Sequence, residues 1–309
     1  MGAKRQEVFK WVVIIFLVVF IYKFVNRDSL LYQIRQNLPP REAAIMAGMI
    51  VGEKADFEKG FYNKLKETGL VHLVVVSGTN VLLLSKVLIE GLAKYLGRKK
   101  SAGAVIIIVW GYASMVGWEP PVTRAALLVS IMYWAQILGR KFDVWRGLGL
   151  AVGIMLVADW QVIKSTSFWL SMAAFGAVLT SGYMIYDLRF MNKTIGRNFW
   201  QTVWISVWTM PILGLVFGKV SWIAPFTNAL VLVVVEWISL VGLAGVVWGK
   251  VMWLAYPALK YIVWVVEGVG EWKWVSLGVR FNWLMVAGWY LVLFYFLVKR
   301  RAGHDRPVN

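Results

Sequence analysis

Cysteine is absent from this 309-residue sequence, and histidine is limited to His72 and His304. The first absence excludes disulfides, thiolate nucleophiles and cysteine-built zinc or iron–sulfur centres. The second excludes a histidine-rich metal cage, so neither a metal nor a cofactor is expected. Acidic side chains are scarce too: 16 Asp plus Glu face 33 Lys plus Arg, for a net charge of +17. Charged residues are only 16% of the chain and hydrophobic ones 60%, against about 25% and about 45–50% in an average soluble domain. A soluble enzyme does not fit that balance. The nucleotide-binding pattern G-x-x-x-x-G-K-[ST] is missing, as is the G-x-S-x-G nucleophile elbow. His72 and Ser77, five residues apart on a helix, would diverge by about 140° and form no dyad. No catalytic residue is expected.

What the chain has is aromatic residues and apolar length. Its 19 Trp, 16 Phe and 12 Tyr exclude disorder. A spanning helix needs about 20 mostly apolar residues. Runs of that kind occur at 9–26, 71–93, 101–118, 120–139, 143–163, 165–186, 198–218, 223–248, 251–268 and 282–298. The fold class expected is all-α, a polytopic transmembrane bundle of about ten spans. Residues 1–27 form the first span and its start, and 71–298 the multi-span domain. Residues 299–309 make a basic tail. Between them, 28–70 is mixed in charge and reads as a short, partly amphipathic outer segment at the membrane interface.

Basic clusters stand at 94–100, 140–146, 188–197 and 299–301, while the alternate turns at 117–121, 159–164 and 218–222 are poor in positive charge. Positive-inside orientation then places both termini in the cytoplasm of a multi-pass cell-membrane protein. Most of the +17 is thereby explained by insertion and says nothing of a ligand. Trp118, Trp145, Trp160, Trp200, Trp222, Trp248, Trp272 and Trp274 fall near span ends, as an interfacial belt requires.

A few polar residues lie where a plain anchor needs none. Arg124 follows Glu119-Pro120-Pro121 by one turn; it either pairs with Glu119 and reaches the surface, or faces a cavity and meets an anion. Glu236 interrupts VLVVVEWISLV and either pairs with Lys260 or Arg124 or lines a path. Ser77-Gly78-Thr79-Asn80 breaks an apolar run, giving either a packed kink or a broken helix whose positive end meets an anionic ligand. Ser167 and Ser171 mark a small-residue face, Asn228 lies just inside a span, and Pro211 and Pro225 flank an outer turn.

Taken in order, LPPREA (38–43), AGMIVGEK (47–54), LKETGLVHLVVVSGTNV (65–81), GWEPPVTRAALLVSIMYWAQILGRKFD (117–143), FWLSMAAFGAVL (168–179) and PFTNALVLVVVEW (225–237) resemble the ComEC-type competence family of DNA-import channels. Asn80 stands where many members carry a second His, Pro121 replaces a common Ser, Asp159-Trp160 replaces Asn-Pro, and Glu236 replaces an apolar residue or Pro. Larger members also carry an OB-like domain and a metallo-β-lactamase-like nuclease. Neither fits within this sequence, so a channel core alone is expected.

The resemblance implies inward conduction of single-stranded DNA across the cell membrane in natural transformation. A separate DNA receptor, nuclease and cytoplasmic ATPase motor are implied as partners, with membrane lipid around the bundle. Arg124 is then a phosphate contact, Ser77–Asn80 a constriction and His72 its mouth, with Ser167, Ser171, Asn228 and Glu236 as further lining. The alternative is a secondary transporter of a small anionic solute, which would show an inverted repeat. A purely structural scaffold would leave Arg124 and Glu236 unexplained.

Overall fold

A computed structural model of the chain describes residues 26–53, 56–71, 76–185, 195–218, 220–272, 276–277 and 281–304. The expected first span and His72 lie outside these residues. The rest is helical apart from one two-residue antiparallel bridge, Val220–Ser221 with Ser276–Leu277. The described residues group into two compact units. One takes 26–62, 71–162 and 234–264, and the other 63–70, 163–233 and 265–304.

In the first unit, α1 (Arg27–Asn37) starts under Asn26, whose side chain accepts from the Ser29 amide at 3.2 Å. α2 (Pro40–Val51) begins on proline, which needs no hydrogen bond there, with Glu42 at its positive end. It ends at Gly52, whose φ of 77° only glycine adopts without strain. That turn lets the Gly52 and Glu53 amides bond the Gly48 and Ala47 carbonyls. Every residue from Glu42 to Val51 is buried. The middle of the 28–70 stretch is thus a core helix, whereas an interfacial segment would expose one face. The run Ala43–Val51 is uncharged and rich in Ala, Gly and Met, so neighbours close around it on all sides. α3 (Lys59–Glu67) follows, beginning in this unit and continuing into the second from Asn63.

α4 (Gly78–Leu96), α5 (Arg98–Met115) and α6 (Pro120–Ile137) pack as neighbours, with α7 (Val144–Ala158) against α6. Only Gly97 separates α4 from α5, and turns this short impose an up-and-down course. The 94–100 and 138–146 turns therefore share one end of the bundle, opposite the starts of α4 and α6. Lys94, Arg98, Lys99, Lys100, Arg140 and Lys141 are exposed at that shared end.

The second unit holds α8 (Thr166–Ile185), α9 (Ile195–Phe217) and α12 (Trp283–His304), which meet around buried Ala177, Trp204 and Leu293. α10 (Ala224–Gly245) begins in this unit and continues into the first, and α11 (Tyr256–Gly270) follows a 3₁₀ turn at Gly249–Ala255. Pro225 sits in the first turn of α10, as expected. Pro211 does not flank a turn: it lies inside α9. The helix continues because α12 satisfies the carbonyls that a proline disturbs. Trp289 Nε1 donates to the Val207 carbonyl at 3.1 Å and the Tyr290 hydroxyl to the Trp208 carbonyl at 2.7 Å.

A helix stands at each expected span from 71 onward. Among the described residues, two are long and apolar enough to cross a membrane, Phe199–Val216 and Ala224–Gly245. The count of ten spans is therefore not carried by the structure. Lys86, Glu90 and Arg124 break the apolar windows of α4 and α6, and α7 has only 15 residues.

Candidate functional site

Pro120 and Pro121 fix the start of α6, and the amides of Val122 and Thr123 bond the Glu119 carbonyl at 3.0 Å. One turn on, Arg124 is 3% exposed, and both terminal guanidinium nitrogens are buried without a hydrogen-bond partner. It neither reaches the surface nor pairs with Glu119. An uncompensated buried charge costs several kcal/mol, so this arrangement is not a stabilising one.

The start of α4 lies against the same stretch of α6. A β-carbon on Gly78 would come within 3.1 Å of both the Pro121 carbonyl and the Ala125 β-carbon. Pro121, Arg124 and Ala125, at i, i+3 and i+4, share one face of α6. Ser77, which caps α4 with extended backbone, makes no side-chain capping bond. The positive end of the α4 dipole is thus brought to the face that carries Arg124.

Of the other expected residues, Ser77 and Gly78 are half-buried and Thr79 is exposed. Asn80 faces protein. It is 4% exposed, its Nδ2 donates to the Met49 carbonyl at 2.6 Å, and its Oδ1 accepts from Ser239 at 3.1 Å. The Tyr112 hydroxyl donates to the neighbouring Ile50 carbonyl at 3.1 Å. Asn80 and Tyr112 so satisfy two carbonyls that the end of α2 leaves open. Tyr112 and Ser239 carried no signal in the sequence, since both partners are distant along the chain.

Glu236 is exposed on α10, beside Val233 and Trp237. The buried pairing of Glu236 with Lys260 or Arg124 is not formed; Lys260 is exposed, with its ammonium 5.8 Å from the Tyr256 ring centre. In the second unit, Asn228 is buried with its Oδ1 unpartnered, while Ser167 and Ser171 on α8 are half-buried. Among the described residues no cluster of His, Cys, Asp or Glu could hold a metal ion.

A second polar feature lies in 27–58. Arg27 pairs with Glu53 at 3.1 Å, Arg35 with Asp56 through two bonds of 2.9 and 2.6 Å, and Arg41 with Glu58 at 3.2 Å. All three pairs are partly exposed. Exposed pairs of this kind contribute roughly 0.2–1 kcal/mol each.

Two helices of the chain long and apolar enough to cross a membrane, Phe199–Val216 and Ala224–Gly245, are compatible with a membrane-associated class of protein. Its family is specific: the profile of the family described as "Competence protein" matches residues 49–302, and the chain belongs to that family. It is 25% identical over 242 residues to "Competence protein ComA" of Neisseria gonorrhoeae, covering 72% of this chain and 34% of that protein. It is 23% identical to "Uncharacterized protein YcaI" of Escherichia coli K12, covering 81% and 36%, and 22% identical to "ComE operon protein 3" of Bacillus subtilis, covering 68% and 27%. The chain spans about a third of the length of these relatives. No solved structure matches it significantly.

Proposed function

We propose that this chain forms the helical core of a channel that admits single-stranded DNA across the cell membrane in natural transformation. The observation that carries this reading is Arg124: a buried guanidinium with two unpartnered nitrogens, on the face of α6 that meets the positive end of α4. Two positive groups at one corner leave an anion as the species that compensates both. A backbone phosphate supplies it, through the strong charge-assisted bonds that arginine forms with phosphate. Arg124 is sealed in this conformation, so α4 and α6 must part before a strand can thread between them.

Membrane embedding is supported by large apolar side chains held outward: Val157 is 90% exposed, Leu284 82% and Trp264 70%. Many large apolar side chains held outward are ordinary against lipid tails. Of the span-end tryptophans among the described residues, Trp118, Trp145, Trp160, Trp222, Trp248 and Trp272 are exposed, as suits interface anchors, and Trp200 is half-buried. The basic end of α4–α7 faces the cytoplasm and the Arg124 end the outside, with both termini cytoplasmic in a multi-pass arrangement. Inward movement draws on a separate ATPase, and delivery of one strand on a separate receptor and nuclease.

The test is uptake of labelled single-stranded DNA by proteoliposomes that hold the purified chain. Uptake above empty liposomes supports the channel. Accumulation of a small anion without DNA favours the transporter alternative and contradicts the channel.

A further inference from the structure

Three successive arginines and three successive acids pair in the same order along the chain: Arg27 with Glu53, Arg35 with Asp56, Arg41 with Glu58. We infer that Arg27, Arg35 and Arg41 form a binding row for the phosphates of a nucleic-acid strand, held in reserve by carboxylates that occupy the phosphate positions. This rests on the reading of the chain as one that handles DNA.

Three properties of the row carry the inference. First, the arginines are open to solutes: their side chains are 41%, 52% and 46% exposed, against 20%, 21% and 65% for Glu53, Asp56 and Glu58. The Arg41–Glu58 pair is open on both sides, and such a pair is weak and screened by salt, so a polyanion displaces that carboxylate at little cost. Second, the grip of Asp56 on Arg35 is two-pronged, through Nε and an Nη. That is the fork geometry in which arginine also takes a phosphate. Arg27 and Arg35 are eight residues apart on one helix, about 12 Å along its axis, a distance a flexible single strand bridges readily.

Third, aromatic rings accompany the charges. Phe57 lies between two of the acids and is half-buried, its ring 6.4 Å from Phe61 and 5.9 Å from Tyr62. The Arg41 guanidinium sits 5.8 Å from the Phe61 ring centre. Phe61 itself is buried, so Phe57 is the ring open to a base; a partly open ring beside cationic groups is the pairing that single-strand binders use, the cations for phosphates and the ring for bases.

The test is fluorescence anisotropy of a labelled oligothymidylate with the detergent-solubilised full chain, over a salt series. Replacing the three acids together (Glu53→Gln, Asp56→Asn, Glu58→Gln) should tighten binding about tenfold. Adding Arg35→Gln and Arg41→Gln should erase that gain, and Phe57→Ala should weaken binding of the oligonucleotide while leaving inorganic polyphosphate unaffected. Glu58→Gln alone, at the most exposed of the three acids, gives a smaller gain in a variant whose fold is least at risk. The inference is overturned if the acid variants bind no tighter, or if the gain survives loss of the arginines, which would mark a bulk charge effect. It is also overturned if the gain appears only with vesicles of anionic phospholipid. Binding at this row is read without transport, so failure of Arg124-dependent uptake leaves these outcomes intact, and the reverse holds too.

Discussion

Trp289 on α12 donates its indole N–H to the carbonyl of Val207, the group four residues before Pro211 that the proline cannot serve. Replacement of Trp289 by Phe keeps most of the apolar contact and leaves that acceptor orphaned. A loss of about 1–3 kcal/mol is expected in thermal or denaturant unfolding in detergent. Pro211→Ala in the same background restores an N–H at position 211 and should recover most of the loss. If Trp289→Phe melts as the parent does, the carbonyl has another partner.

Asn80 and Tyr112 close the end of α2 from two other helices. Asn80→Ala should cost about 1–3 kcal/mol and Tyr112→Phe about 1 kcal/mol. Because both act on adjacent carbonyls, the double variant should depart from additivity by more than about 0.5 kcal/mol. Unfolding of the singles and the double checks this.

Much of the helix pattern was legible in the sequence, because apolar runs end at charged or Gly- and Pro-bearing turns. Arg124 was legible too, as an ionisable group among apolar neighbours. Asn80 was misplaced for a related reason. A polar residue in an apolar run reads as lining, and its partners Met49 and Ser239 come from far along the chain. Pro211 read as a boundary because a proline normally ends a helix, and its compensation lies about eighty residues away in α12. The burial of α2 was hidden because nine apolar residues between charges are too few to span. Only packing from several helices shows that it is core.

Gly69 combines a φ of 74° with a site where an added β-carbon would collide with that of Ala224. Gly69→Ala should therefore cost more than about 2 kcal/mol. Gly91→Ala, on α4 with nothing within 4 Å, should be neutral or stabilising by up to about 1 kcal/mol. Melting temperatures and yields of the two variants compared side by side decide it.

The cysteine-free sequence makes topology directly measurable, since each introduced thiol is unique. Lys99→Cys, in the first turn of α5, should react with a membrane-impermeant maleimide only after the cytoplasmic side is opened. Trp118→Cys, at the opposite end, should react in intact cells. Labelling of both from one side would contradict the orientation proposed.

On the proposed reading, Arg124 is kept, against its cost to stability, to meet a phosphate. The most direct measurement is single-stranded DNA uptake by proteoliposomes carrying Arg124→Met, an apolar side chain of similar length. Loss of a charge-assisted contact predicts a fall of about ten- to a hundredfold. The same samples should melt no lower than the parent, because an uncompensated buried charge has been removed. Uptake equal to that of the parent would contradict the claim.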